Sequence, residues 1–300
     1  MQTSFATTEL ALEHVFHSDI LPALPHSALA IAEISDKDEQ GLPRLIKAIE
    51  ADPGLMGQVL RFANLTEFRC SGQIMSVDQA MAQVGARAVC NFAMWNAVFS
   101  LKPNPKFGPF ELKVLWRDSL RRAVFARSLA KSLKLDIAGD LFAAALLQDM
   151  AIPLLLKELP AEYEELVQRR AEEGRRLSGL EKEMFGWDHA DAAAMLAKRW
   201  HLPARFIDIL AHHTHVDDIL NRDAEERGKV CVALAALLPS CSDEQWSLNE
   251  KSQFIDGYTQ LTGEPEESIQ DLFRSVDREN ASYAELMRVD PPKRSLAVLA

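Results

Sequence analysis

The 300-residue chain lacks most of the devices that mark a simple chemistry. It contains no G-x-x-x-x-G-K and no G-x-G-x-x-G, which excludes the usual glycine-rich phosphate cradles. Its four cysteines, Cys70, Cys90, Cys231 and Cys241, form no C-x-x-C pair and no zinc spacing. They are expected as buried free thiols in a reducing compartment. No segment places a Ser or Cys nucleophile beside a base. The first twenty residues lack a cationic start, an apolar run and a small-residue cleavage site. No stretch is expected to reach the roughly 20 apolar residues of a membrane span, so the reading is cytoplasmic, with no membrane partner. Basic surplus is missing too. The net charge is −11, and residues 243–300 hold 12 acidic against 6 basic residues, so nucleic acid is not an expected partner.

What the chain has is helical period. Only 13 glycines and no sustained polar–apolar alternation leave no convincing strand, and the expected class is all-α. Leu21-Pro22-Ala23-Leu24-Pro25 reads as a rigid turn. Asp52-Pro53 reads as an N-cap and first helical residue opening Gly54–Asn64. Ser76 and Gln79 have capping-box spacing, and Gly85 ends that short helix. Phe92, Trp95 and Phe99 form an apolar stripe, and Lys102–Pro109, with three prolines and a glycine, is the best internal boundary. Helices are then expected near 110–135, 138–149 and 153–159, with a charged, solvent-facing one at 162–176. Asp188 caps a helix to Trp200 on which His189, Ala193, Leu196 and Trp200 share a face. Another ends in His212-His213. Among about four later helices, Val230–Leu238 is the most buried.

Several of these segments, in order, resemble the HDOD family, the HD-related output domains of bacterial signalling proteins. They are Leu21–Pro25; Ile49–Leu55 continuing to Asn64; Ile74, Ser76, Ala80 and Val84-Gly85; Leu115–Ser119; Gln148-Asp149; Phe185–Ala190; Trp200–Pro203; and His212-His213. The resemblance implies a helical fold related to metal-dependent HD phosphohydrolases but without catalysis. It implies an adaptor or output role in pathways of two-component regulators or cyclic dinucleotides. The boundaries expected are a helical lead-in over 1–19, an HDOD domain over 20–216 and an acidic helical extension over 217–300. The domain divides into an N-terminal lobe at 20–105 and an HD-like core at 106–216. Trp246, Phe254, Ile255, Tyr258, Leu261, Ile269, Leu272 and Phe273 are spaced to pack that extension on the core. No attached receiver, kinase or cyclase domain is expected.

Against that family the ligand positions have decayed. The resemblance puts Gln148-Asp149 where active relatives carry His-Asp, and a carboxamide is a poor ligand where an imidazole is a strong one. Asp118 stands where they carry a histidine, and Val230–Leu238 lacks their aspartate. Asp118, Gln148, Asp149, His189, His212 and His213 are therefore vestigial positions, with no catalytic residue among them. Neighbouring helical residues point about 100° apart, so His212 and His213 cannot both face one centre. Any metal would be a divalent transition ion on Asp149, His189, His212 and Asp118, and none is favoured. Gln148 is expected to hydrogen-bond to Asp149 or a histidine. Arg117, Arg121, Arg122, Arg127, Lys131 and Lys134 read as a solvated basic face paired with neighbouring acids, with reception of an acidic partner or a phosphorylated receiver domain as the alternative. Arg169-Arg170 with Arg175-Arg176 read as an exposed helix and turn. The expected partners are response regulators or sensor proteins. A nucleotide bound in the former cavity and a homo-oligomer are the other candidates, and residual phosphohydrolase or phosphodiesterase action is the alternative function.

Overall fold

A computed structural model describes residues 2–16, 41–51, 53–64, 74–86, 89, 92–93, 112–200, 202, 204–217, 226–241, 246–287 and 292–299. Among these the regular structure is helical and there is no strand. The Leu21–Pro25 turn, Asp52 as a cap, Cys70, Cys90, Trp95, Phe99 and the Lys102–Pro109 boundary lie outside the described residues.

The N-terminal part comprises α1 (Gln2–Val15), α2 (Gly41–Glu50), α3 (Pro53–Ala63) and α4 (Val77–Val84). Asn64 stitches α3 to the chain before α4. Its carboxamide donates to Leu60 O and Ile74 O at 2.8 and 2.7 Å and accepts from Ile74 N–H at 2.8 Å. Ser76 Oγ caps α4 by accepting from Gln79 N–H at 3.2 Å, while Gln79 Oε1 reaches back to Met75 N–H. Gly85, at φ 95°, turns the chain out of α4 in a region that favours glycine. Phe92 is buried and stacks on Phe62 at 4.3 Å.

The centre of the fold is α5 (Leu112–Ser132), packed against α6 (Ala138–Leu147), α12 (Arg227–Ala236) and α14 (Ile269–Met287). Around it lie α7 (Ile152–Glu158), α8 (Pro160–Glu173), α9 (Leu177–Phe185), α10 (His189–Arg199) and α11 (Ala204–His212). Small residues make the close approach work: Ala123, Ala126 and Ala130 on α5 and Ala143–Ala145 on α6 are buried. Gly228 lies where α12 meets the start of α6, and a Cβ there would stand 2.8 Å from Ile137 Cδ1 and displace that side-chain end. All of Val230–Leu238 is buried, as its composition predicts. The stretch Ala138–Glu158 is, against expectation, long and apolar enough to cross a membrane. In the structure it is broken by a turn into α6 and α7, and most of it is inside the core.

The basic face expected on α5 is solvated only at its C-terminal end, where Lys131 and Lys134 are exposed. Arg121 and Arg127 are buried, and the Arg122 side chain is only 15% exposed. Arg121 donates to Pro239 O and Arg294 O at 3.4 and 3.0 Å. Arg127 pairs with Glu279 and lies 4.7 Å over the Phe142 ring. Buried guanidinium groups need acceptors, and the last third of the chain provides most of them.

That part comprises α13 (Leu248–Thr262), α14 and α15 (Leu296–Leu299). Phe254 and Phe273 are fully buried and pack on Phe125 of α5 at 5.5 and 6.1 Å, with Trp246 alongside. Asp277 caps α15, accepting from Leu296 N–H and Ala297 N–H at 2.9 and 3.1 Å. This packing makes the extension part of the same core. Phe254→Ala is expected to cost about 3–5 kcal/mol and to lower a single cooperative urea transition. Loss of the C-terminal helices in a separate, earlier transition would show instead that they fold apart from the core.

Candidate metal centre

The site is assembled from three helix ends and one helix interior. Asp149 follows α6, His189 opens α10, His213 follows α11, and Arg122 reaches in from α5. Asp188 sets the start of α10: its Oδ1 accepts from Ala190 and Asp191 N–H, and Asp191 accepts from Asp188 N–H at 3.0 Å. The Thr214 hydroxyl donates to Asp188 Oδ2 at 3.0 Å, tying the α11 end to the α10 start. His189 and His213 are thus brought side by side, with ring centroids 5.2 Å apart.

Each imidazole is oriented by its Nδ1. That of His189 lies 2.6 Å from Glu181 Oε2, which also accepts the His189 backbone N–H at 2.9 Å. Glu181 is completely buried on α9 and accepts a further bond from the Tyr163 hydroxyl at 2.7 Å. His213 Nδ1 lies 2.7 Å from Leu210 O. A carbonyl can only accept, so the His213 proton sits on Nδ1 and Nε2 carries a lone pair. Both Nε2 atoms face Asp149 Oδ1, at 3.6 Å from His189 and 3.7 Å from His213. The other carboxylate oxygen, Oδ2, accepts from the Arg122 guanidinium.

Asp149, His189 and His213 thereby place one ligand atom each within 4.8 Å of one another. Two imidazoles and a carboxylate suit a divalent transition metal, and a His backed by a carboxylate or carbonyl is the usual second layer of such a site. The buried His213 Nε2 has no hydrogen-bond partner, as a ligand atom would not. The donors fit. The charge does not, because Arg122 already supplies a cation to Asp149.

The other expected positions fall elsewhere. Asp118 is buried and engaged, accepting from Ser240 Oγ and Cys241 N–H at 2.6 and 2.5 Å. His212 is half-buried and turned to its own helix, with Nδ1 2.8 Å from Asp208 O. The set Asp118, Asp149, His189 and His212 therefore does not converge; His213 takes the place given to His212, because it lies past the last helical residue and turns inward. Gln148 is buried, yet neither its amide nitrogen nor its oxygen has a partner, contrary to the expected bond to Asp149 or a histidine. Asp149 instead accepts from Arg122 through Oδ2, with Oδ1 turned toward the imidazoles. Arg176, expected in solvent, is mostly covered: it donates to Thr214 O at 3.3 Å and lies 3.6 Å from Glu250 of α13. Arg169 and Arg175 do sit at the surface, paired with Glu173 and Glu183.

Glu181 and Tyr163 were not singled out by sequence, and Arg122 was read there as part of a solvated face. Arg122 had a signal, lying one turn beyond Asp118 on the same face of α5. Glu181 had another, as an acid in the apolar series Leu177, Leu180, Glu181, Met184.

Electrostatically the site is a chain of alternating charge. Burial alone would raise the Asp149 pKa, but Arg122 and the charged His189 hold it far below the usual carboxylate range. Burial would lower His189, yet Glu181, its hydrogen bond and Asp149 raise it to about 9. His213 is pushed down by burial. Arg122, Asp149, His189 and Glu181 then form a neutral buried quartet with His213 uncharged beside it. Outside it, Cys231 is a buried thiol whose pKa burial lifts to about 12.

The sequence model of the HDOD domain matches residues 21–216. An uncharacterized protein of Treponema pallidum is 25% identical over 210 residues. That match covers 69% of this chain but only 40% of the relative's length. Among solved structures, an HDOD domain protein of unknown function from Geobacter sulfurreducens matches with a TM-score of 0.72 at 20% identity, over 95% of this chain and 98% of that one. A provisionally named signal transduction protein of Marinobacter aquaeolei gives 0.70 at 20% identity, over 95% and 66%. A provisionally named phosphohydrolase of Shewanella amazonensis gives 0.68 at 18% identity, over 93% and 98%. At these identities the likeness is one of fold.

The raised His189 pKa has a sign that can be tested. A group charged more readily in the fold than unfolded stabilises fully below its unfolded pKa of 6.5 and loses that contribution as pH rises to about 9. Asp149 acts oppositely, and its contribution disappears only in acid. NMR titration is expected to show the His189 ring protonated until about pH 9, with the melting temperature falling from pH 6.5 upward. Glu181→Gln should bring the ring's titration down toward or below 6.5. A wild-type ring already neutral at pH 7 would contradict the alternating chain.

Proposed function

The chain belongs to the HDOD domain family, and on that premise we propose that it is a cytoplasmic bacterial signal-transduction module, an adaptor or output protein without catalytic activity. It would act by contact with other proteins, response regulators or sensor proteins being the class of partner. The observation that carries the non-catalytic part is the Arg122–Asp149 pair. Metal-assisted phosphoester hydrolysis needs an ion that makes hydroxide and polarises a phosphoryl oxygen. The one carboxylate of the triad is already bound to an arginine, Gln148 replaces a ligand type with a poor one, and Asp118 is committed to residues 240–241. If a metal did occupy the triad, Asp149, His189 and His213 would hold it, and it would supply Lewis acidity.

The converging geometry of those three residues favours one second reading, residual metal-dependent hydrolysis of a nucleotide phosphodiester. Elemental analysis of protein grown with Mn, Fe, Ni and Zn, together with a generic phosphodiester assay, separates the two. The signalling reading expects no stoichiometric metal and no turnover. It also expects Gln148→Ala to leave capture of a response regulator or sensor from native lysate unchanged. Near one metal per chain with turnover that Asp149→Ala abolishes would replace this reading with the hydrolase.

A further inference from the structure

The triad offers donors that suit a metal beside a charge that does not, and that disagreement leads further. We infer that Arg122 is a built-in counter-ion that keeps divalent cations out of the Asp149–His189–His213 triad, and that the triad becomes a metal site once this guanidinium is removed. The inference rests on the non-catalytic reading above.

Charge is the first argument. With both imidazoles acting as neutral ligands, a divalent ion beside Asp149 and the buried Glu181 brings the local sum to zero. With Arg122 in place the same ion leaves a net positive charge, in an interior where an uncompensated charge is strongly unfavourable. The guanidinium and the metal are therefore alternative ways of neutralising the same carboxylates. A second argument is geometric. Arg122 holds Asp149 by Oδ2 only, and Oδ1 stays 3.6 and 3.7 Å from the two Nε2 atoms, so the ligand atoms already face a common point. Third, the buried His213 Nε2 is unpartnered, an unmet acceptor at that point. Fourth, no ring has to turn, because Glu181 and Leu210 O hold both Nδ1 atoms in the sense a metal requires. The nearby Arg176 does not fill this role, since its side chain is turned to Thr214 O and Glu250. The ligand class is a first-row divalent ion that accepts mixed imidazole and carboxylate donors, and Co2+ is a visible probe for it.

The test is Co2+ titration at neutral pH, read by equilibrium dialysis and visible absorption, on full-length wild type, Arg122→Met, Arg122→Lys and Arg122→Met/His213→Gln. Arg122→Met should bind about one Co2+ per chain with tetrahedral-type absorption bands, while wild type and Arg122→Lys bind none. The double variant should lose the site. A folded Arg122→Met that binds no Co2+, or binding that survives His213→Gln, overturns the inference and leaves the signalling reading intact. Binding by wild type that Asp149→Asn removes overturns the inference and also withdraws the main support for the non-catalytic reading. Should Arg122→Met not fold alone, circular dichroism with Co2+ present decides: recovery of helicity supports the counter-ion role, and failure to recover it overturns that role.

Discussion

A carboxylate buried as deeply as that of Asp149 cannot stay ionised without a positive partner, and Arg122 on α5 is that partner. The rest of the centre follows from this pairing. With Asp149 charged, His189 keeps its proton, and Glu181 accepts from the His189 ring behind it, steadied by the Tyr163 hydroxyl. Four helices, α5, α6, α9 and α10, are linked by one alternating series of charges. Breaking a buried series at any member leaves its neighbour uncompensated, which typically costs about 3–5 kcal/mol. A centre arranged in this way has structural value independent of any reaction.

The local devices that hold the series are ordinary. A capping box at Asp188 and Asp191 starts α10 with His189 in position, and Thr214 draws the end of α11 toward it. Alanines let α5 and α6 approach closely enough for Arg122 to reach past the helix surface. The C-terminal helices complete the enclosure, with Glu250 of α13 facing Arg176 near the same centre. Polar satisfaction is the common thread: Arg121, Arg122 and Arg127, which look solvated by spacing, are each directed to an acceptor supplied by a distant element.

Much of this was legible in the chain before any coordinates. Helical period, the Ser76 and Asp188 caps, Gly85 and the apolar Val230–Leu238 segment all act through neighbours within a turn or two, which is the range sequence pattern reports. The site residues Asp149 and His189 came from resemblance, and the geometry brings them together. His213 was separable from His212 only by where α11 stops, a one-residue boundary that periodicity does not resolve. Arg122 was misread for a different reason. A charge at helical spacing looks solvated unless the partner is known, and its partner lies 27 residues away in a turn. Glu181 carried a faint signal as an acid among leucines, and its meaning depends on a histidine eight residues later.

The acceptors of Arg121 have a consequence in time. Its carbonyl partners lie 118 and 173 residues further along the chain, and Phe125 on the same helix packs on Phe254 and Phe273. A ribosome adding roughly 5–20 residues per second makes α5 on the order of ten seconds before the first of those partners exists. Until then, closing the core over α5 would bury a guanidinium without its native acceptors, at several kcal/mol. The helix at the middle of the fold is therefore finished by segments translated 118 and 173 residues after it, and the core over α5 closes natively only once they exist.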